Sequence, residues 1–232
     1  MMFDRSPSSL GVRPAAALST AFLSQAFFWM FVGLLVTTGV GLLLSGLSDE
    51  QFARLAGLWL PIVLVQLGLA VTLSLAIRRL SATAALGLFF VYAASMGVTL
   101  GIVLRVYAPG TVLAAGLSAA SIFGAASIYG AVTGRDLTRL GAYLFMALVG
   151  VLVALVVNLF LGSSLVGFIV SVIGVVVFTG LTAYDVQRIG RGELAAWTES
   201  MEKGAVMGAF VLYLDFVNLF LMLLRLFGTS RD

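Results

Sequence analysis

Two aspartates in otherwise apolar stretches are the residues of this sequence best suited to chemistry. Asp215 lies within LYLDFVNLFLMLLRLF, and the charged residues nearest to it along the chain are Lys203 and Arg225. Asp185 comes earlier, within FTGLTAYDVQRIGRGEL. A carboxyl group in an apolar segment is costly unless it is protonated, has a partner or faces a protein interior. Both aspartates are therefore candidates for binding a proton or a cation.

Asn218 follows Asp215 by about one helical turn, which places both polar side chains on one face of a helix. A helix that is otherwise apolar around its circumference is typical of the centre of a bundle. If this helix begins near residue 205, a rise of 1.5 Å per residue places Asp215 about 15 Å from its start, near the middle of a membrane. We therefore predict a central C-terminal helix.

The two aspartates belong to consecutive antiparallel helices. Their carboxyl groups reach the same depth only if the helix of Asp185 continues several residues past it, to about Glu193, and Gly190 and Gly192 are consistent with an end near there. Two carboxylates at short range cannot both be ionised at low cost. We expect the pair to share one proton, so that pH switches the contact between the two helices.

Each aspartate also has a purely structural interpretation. Asp185 could lie at the membrane interface and pair with Arg188, one turn further along the helix. Asp215 could be a buried carboxyl group whose hydrogen bonds serve packing alone. The sequence leaves both alternatives open.

The composition places these residues in a membrane protein. Hydrophobic residues make up 61% of the chain and charged residues only 10%, against about 25% charged in an average soluble domain. Seven apolar stretches are long enough to cross about 30 Å of hydrocarbon as helices. They cover residues 22–46, 56–77, 82–104, 111–133, 140–161, 165–187 and 205–227. We predict an all-α membrane protein with a cytoplasmic tail at 1–21 and a seven-helix transmembrane domain at 22–228.

Basic residues are distributed unequally between the two sides of this arrangement. One side carries nine: Arg5, Arg13, Arg78, Arg79, Arg135, Arg139, Arg188, Arg191 and Lys203. The other carries four: Arg54, Arg105, Arg225 and Arg231. The positive-inside rule then places the N-terminus in the cytoplasm and the C-terminus outside. This asymmetry accounts for the net charge of +3, so no nucleic-acid partner is expected.

The chain contains no His and no Cys, which excludes thiolate chemistry, His-based triads and metal sites built from these residues. An intramembrane aspartyl protease would need a GxGD motif, but Leu212, Tyr213 and Leu214 precede Asp215. A retinal protein would need a lysine within the last helix, and the single lysine, Lys203, precedes that stretch. We expect neither an enzyme nor a bound cofactor.

Small residues recur at four-residue spacing in the fourth span, as Gly116, Ala120 and Gly124 and again as Ser121 and Ala125. Such stripes allow helix backbones to approach closely. We predict that this stripe packs within the protein; a dimer face and a pore lining are the alternatives.

The segments LTAYDVQRI and GAFVLYLDFVNLFLMLLRLFG resemble the bacterial branch of the Bax inhibitor family, the transmembrane Bax inhibitor motif proteins. The similarity runs along the chain and includes LVQLGLAVTLSLAIRRLSA and FGAASIYGAVTGRDLTRLGAYLFMALVG. The resemblance implies a protein of the bacterial inner membrane, with two groups of three helices around a central C-terminal helix.

The resemblance also implies a pH-regulated calcium leak in which Asp185 and Asp215 form a hydrogen-bonded pH sensor. Arg78 or Arg79 would contact this pair. Calcium prefers six to eight oxygen ligands, so the two aspartates with Asn218 would hold it only transiently. Calcium and protons are then permeating or regulating ions in a lipid bilayer. A proton/calcium antiporter and a regulator of a membrane-bound AAA protease without transport activity remain the alternatives.

Overall fold

The computed structural model describes residues 15–228 and contains nine α-helices and no strand within this range. The helices are α1 (Ala15–Ser45), α2 (Asp49–Gly57), α3 (Trp59–Ala76), α4 (Ala82–Leu104), α5 (Pro109–Val132), α6 (Thr138–Leu161), α7 (Ser164–Gly190), α8 (Glu193–Thr198) and α9 (Met201–Phe227). Seven of these helices, all except the short α2 and α8, are long and apolar enough to cross a membrane. The predicted seven-span, all-α class is confirmed.

The ends of the spans differ from the predicted ends by a few residues. α4 covers 82–104 as predicted, whereas α9 begins at Met201 rather than near residue 205. α1 begins at Ala15, inside the stretch that we assigned to the tail. Residues 1–14 of that tail, with Arg5 and Arg13, lie outside the described residues.

Serine residues cap the starts of several spans. Ser81 precedes α4 and accepts a hydrogen bond from the backbone N–H of Ala84, and Ser200 precedes α9 and accepts one from Lys203. These bonds satisfy amide donors that a helix start leaves without partners. At the end of α6, Gly162 adopts a left-handed conformation with φ +61°, which favours glycine. Local sequence therefore fixes where these spans stop and start.

The long helices form two groups around α9. The first group packs α1 and α3 against α4, and the second packs α5 and α6 against α7. α9 lies between the groups and contacts α1, α4, α5 and α7. In its most apolar window 67% of residues are buried, against 44% for α7, the next most buried span. The predicted arrangement of two three-helix groups around a central C-terminal helix is confirmed.

Two glycines allow the closest helix contacts within these groups. A Cβ atom added at Gly97 would lie 2.6 Å from the backbone oxygen of Thr37, where α4 meets α1. A Cβ atom added at Gly130 would lie 2.2 Å from the backbone oxygen of Ala183, where α5 meets α7. Backbone cannot move aside as a flexible side chain can, so we expect only glycine to fit at these positions.

The predicted packing of the small-residue stripe in α5 is wrong. A Cβ atom added at Gly116 or Gly124 would meet no atom within 4 Å, and Ala120 is exposed. The buried face of α5 includes Ala115 and Ala119 instead. Both faces are rich in small residues, so the four-residue spacing alone did not identify the packed one.

Polar contacts gather several predicted cytoplasmic residues at one end of the bundle. The guanidinium group of Arg78 bonds the carboxylate of Glu199, and Lys203 Nζ donates to the backbone oxygen of Arg78 at 3.0 Å. Arg191 pairs with Asp136 at 2.9 Å. These contacts agree with the grouping of basic residues on which the predicted orientation rests.

Candidate functional site

The two aspartates meet between α7 and α9. Their side chains are buried, with Asp185 7% and Asp215 5% exposed, and the carboxyl groups are close enough to form a hydrogen bond with each other. Both line a cavity of about 750 Å³ between α6, α7 and α9. The second carboxyl oxygen of Asp215, Oδ2, is buried and has no hydrogen-bond partner among the described residues. The site therefore presents an unsatisfied acidic oxygen inside the membrane domain.

The shared depth of the two carboxyl groups depends on where α7 ends and where α9 begins. α7 continues past Asp185, as predicted, but it ends at Gly190 rather than at about Glu193, which begins α8. Asp185 lies five residues before the end of α7, whereas Asp215 lies fourteen residues after the start of α9. These positions differ by nine residues. For the two carboxyl groups to lie at the same depth, antiparallel α9 must therefore begin about 14 Å beyond the end of α7, at 1.5 Å per residue.

The connection between α7 and α9 supplies this offset. Gly192 turns the chain with φ +74°, and α8 follows. The first turn of α9 packs closely on α8, since a Cβ atom added at Gly204 would lie 2.7 Å from Ala195. α8 therefore sets the depth at which Asp215 stands opposite Asp185.

Asn218 lines the same cavity as Asp215, as its position on the helix predicts. Its amide nitrogen donates to the backbone oxygen of Leu214 at 2.8 Å. The amide oxygen is then the part of this side chain suited to a cation or a water molecule. Apolar side chains such as Phe145, Leu152 and Phe178 form most of the remaining wall.

Arg188 also lines the cavity, but its ion pair is with Glu193 at 3.7 Å. Within the described part of the chain no ion pair joins Arg188 to Asp185. The side chain of Asp185 is buried within the bundle, five residues before the end of α7.

The contact between Arg78 or Arg79 and the aspartates, which the family resemblance implies, is absent from this structure. Both arginines are exposed, and neither lines the cavity. The ion pair of Arg78 is with Glu199. Both arginines follow the end of α3 at Ala76, where their side chains stay at the surface of the bundle.

A polar clamp that the sequence did not identify holds the end of α7. The side chain of Gln187 accepts from the backbone N–H of Leu137 at 2.9 Å and donates to the backbone oxygen of Arg135 at 2.8 Å. Arg191 bonds Asp136 in the same loop. Because Gln187 is two residues from Asp185, this clamp orients the part of α7 that carries the carboxyl group. A glutamine at a helix end carries no distinctive sequence signal for such a role.

Asp136 in this loop is the clamp's exposed carboxylate. It accepts hydrogen bonds from the side chain and backbone of Thr138, at 2.7 and 3.0 Å, and pairs with Arg191. These bonds lower the pKa of Asp136 to about 2. It is therefore ionised throughout the range in which the buried aspartates are expected to respond.

A second unanticipated contact holds the opposite face of α9. The hydroxyl groups of Tyr213 and Thr37 lie 2.6 Å apart, and Thr37 is also 2.8 Å from the backbone oxygen of Ala93. Tyr213 precedes Asp215 by two residues, so the two side chains point to different sides of the helix. One face of α9 is therefore held against α1 and α4, and a different face carries Asp215 and packs against α7.

The donor set suits a proton or a passing cation better than a tightly bound metal. The described residues contain no group of three or more His, Cys, Asp or Glu side chains arranged to hold a metal ion. Two carboxyl groups and one amide oxygen fall short of the six to eight oxygens that calcium prefers.

Comparisons with known proteins extend over nearly the whole chain. The family described as "Inhibitor of apoptosis-promoting Bax1" matches residues 19–232. The inner membrane protein YbhL of Escherichia coli K12 is 41% identical over 235 residues, covering 98% of this chain and 100% of YbhL. An uncharacterized protein of Deinococcus radiodurans is 42% identical over 213 residues, with 91% of each chain covered.

A third relative, an uncharacterized protein of Borreliella burgdorferi, is 38% identical over 222 residues, covering 93% of this chain and 94% of its own. The family match covers the segments that carry both aspartates. The multi-pass helical architecture and this similarity lead to one assignment: the chain belongs to the Bax inhibitor family.

Proposed function

We propose that this protein is a pH-regulated calcium leak of the bacterial inner membrane, gated by a proton that Asp185 and Asp215 share. The observation that carries the proposal is the meeting of two buried carboxyl groups in a cavity between α7 and the central helix α9. The name of the relative YbhL supports the location in an inner membrane.

The proposed gate works through the charge of the pair. With one proton shared, a hydrogen bond between carboxyl and carboxylate joins α7 to α9 and leaves a single negative charge. Removing the proton leaves two like charges at short range, and adding a second proton removes the charge. Each change alters both the strength of the helix contact and the attraction for a cation, so pH controls the site.

The same groups limit how long calcium stays. The two carboxyl groups and the amide oxygen of Asn218 provide too few oxygen ligands for tight storage. Conduction requires binding that is strong enough for entry and weak enough for exit. A transient site therefore fits a leak.

Calcium entry into proteoliposomes tests the proposal between about pH 5 and 8, the range in which a shared proton is expected to respond. We expect flux of the wild type to vary with pH and both Asp185→Asn and Asp215→Asn to flatten the profile. Glu50→Gln is the matched control, because it removes an exposed carboxylate of α2 that pairs with Arg54 and does not line the cavity, and it should keep the profile.

The alternatives give different results in the same assay. If the wild type passes no more calcium than empty liposomes, the leak is excluded and regulation of a membrane-bound AAA protease becomes the leading hypothesis. If calcium flux requires an imposed proton gradient, with a fixed ratio of protons to calcium, the protein is an antiporter. If Glu50→Gln flattens the profile as well, the buried pair is not the specific sensor.

A further inference from the structure

A second cavity, of about 770 Å³, lies between the two helix groups, away from the aspartates. We call it the outer cavity, because it lies toward the end of the bundle that is predicted to face outward. α1, α4 and α5 form its walls, and Phe216, Val217 and Phe220 of α9 contribute to its lining.

The outer cavity lies between α1 and α5. Near the predicted cytoplasmic half, the rings of Phe27 and Phe123 lie 6.4 Å apart, and Phe123 lies 5.5 Å from Phe216. Toward the outer half, the cavity opens between the two helices. Gly116 lines it without a side chain, so part of the small-residue stripe of α5 widens the opening.

The chemistry of the outer cavity suits hydrocarbon. Its lining is mostly apolar, and the polar group of Thr37 is already bonded to Tyr213. Three exposed leucines line it as well. They are Leu42, Leu113 and Leu117, which are 66%, 63% and 62% exposed. Exposed leucines on membrane-spanning helices face lipid, so the cavity is continuous with the lipid-facing surface. Apolar cavities of this kind do not hold water favourably.

The length of the outer cavity matches the hydrocarbon thickness of one membrane leaflet. It extends along α1 from Leu34 to Ser45, and eleven residues at 1.5 Å each span about 16 Å. Half of a hydrocarbon core of about 30 Å is nearly the same distance. A single lipid chain entering from the outer leaflet therefore fits lengthwise.

The end of the outer cavity carries an arginine. Arg105 lines the cavity, pairs with Asp49, donates to the backbone oxygen of Leu47 at 3.5 Å and lies over the ring of Phe52 at 4.3 Å. A guanidinium group has five N–H donors, so these bonds leave donors for a further acceptor. A phosphate oxygen of a lipid headgroup is an acceptor of this kind.

We infer that the outer cavity binds one hydrocarbon chain of a phospholipid from the outer leaflet, with the headgroup phosphate beside Arg105. The chain packs on Phe216, Val217 and Phe220, immediately beyond Asp215. Lipid then completes the packing of the central helix where the two helix groups leave it uncovered.

Two glycines of α5 provide a matched test. Neither Gly116 nor Gly124 has an atom within 4 Å of an added Cβ, but only Gly116 lines the outer cavity. Native mass spectrometry of the full chain in detergent would measure binding of dioleoylphosphatidylglycerol. We expect Gly116→Leu to weaken binding by about tenfold or more, the equivalent of a few lost methylene contacts, and Gly124→Leu to bind as the wild type does. Equal binding by all three proteins, or equal loss in both variants, would overturn the inference.

A second measurement avoids a large substitution. Because the chain has no Cys, Gly116→Cys and Gly124→Cys each introduce a single thiol. We expect phosphatidylglycerol to slow alkylation by N-ethylmaleimide at the first position and not at the second. Equal rates with and without lipid at Gly116→Cys would contradict a bound chain. Equal binding of dioleoylphosphatidylglycerol by the wild type and Arg105→Gln would contradict the position of the phosphate beside Arg105.

Discussion

At the scale of single residues, Arg188 distinguishes a proton-sharing site from an ordinary ion pair. It lines the cavity of the aspartates, yet its ion pair is with Glu193 at 3.7 Å. If the aspartates respond to each other, calcium flux through Arg188→Gln should still depend on pH, because both carboxyl groups remain. The same proteoliposome assay measures this, with Asp185→Asn as the positive control. A profile as flat as that of Asp185→Asn would favour a structural pair between Asp185 and Arg188.

Asp136 gives a residue-scale prediction about stability. Its bonds to Thr138 and Arg191 lower its pKa to about 2, from an ordinary value of 3.8. A carboxyl group with a lowered pKa in the folded state stabilises the protein above its unfolded pKa, and this contribution is lost as pH falls through the folded pKa. The window of loss therefore lies between about pH 4 and 2.

We expect Asp136→Asn to lower the thermal stability of the detergent-solubilised protein by a constant amount between about pH 5 and 8. Thermal unfolding at several pH values, beside the wild type, measures the difference. A difference that grew or vanished within that range would show that another titrating group controls the clamp.

Sequence identified Asp185, Asp215 and Asn218 because a polar residue in an apolar run is conspicuous. The contacts of Gln187, Thr37 and Tyr213 could not be predicted in the same way. Glutamine at a helix end and hydroxyl groups in a membrane helix are common, and their partners lie on helices distant in sequence. Only the packing of the chain shows which of them bond.

At the scale of elements, α9 depends on contacts with both helix groups. Tyr213 joins it to α1 through Thr37, at 2.6 Å. Hydrogen bonds between membrane helices average about 0.6 kcal/mol and reach about 1.7. Tyr213→Phe should therefore destabilise the protein by about 0.6 to 1.7 kcal/mol, measured by unfolding in mixed micelles.

Tyr92→Phe is the control for this prediction. Tyr92 is buried in the same aromatic cluster, with its ring 6.0 Å from that of Tyr213, and its hydroxyl forms no hydrogen bond to the residues that the structure describes. If both variants lose equal stability, ring packing rather than the bond to Thr37 accounts for the effect.

The lengths of apolar runs were sufficient to predict the seven spans, but not the relative depth of α7 and α9. That depth depends on α8 and the turn at Gly192, which lie outside the apolar pattern. The small-residue stripe in α5 shows the same limit of sequence analysis. Residue spacing identifies one face of a helix but does not show which helix, if any, packs against that face. Element type could be predicted from local composition, whereas alignment and contacts required the tertiary structure.

At the scale of the whole molecule, α9 contributes to two chemically different cavities. One contains Asp185, Asp215 and Asn218, and the other is mostly apolar and open toward lipid. Phe216 and Val217, which follow Asp215, line the second cavity. A change in the contact between α7 and α9 would therefore alter the surface that α9 presents to a lipid chain, so proton binding and lipid binding should influence each other.

The orientation of the whole chain is the remaining global prediction. Basic residues at the end of the bundle that contains Arg78, Arg191 and Lys203 predict that this end faces the cytoplasm. Gly57 at the end of α2 and Gly134 between α5 and α6 lie at opposite ends, and an added Cβ at either meets no atom within 4 Å.

Gly57→Cys and Gly134→Cys therefore form a matched pair in a chain without Cys. In intact spheroplasts, a membrane-impermeant maleimide should label Gly57→Cys, because we expect its thiol outside. Gly134→Cys should react only after the membrane is permeabilised. Labelling of Gly134→Cys alone in intact spheroplasts would reverse the orientation, and with it the side from which each cavity is reached.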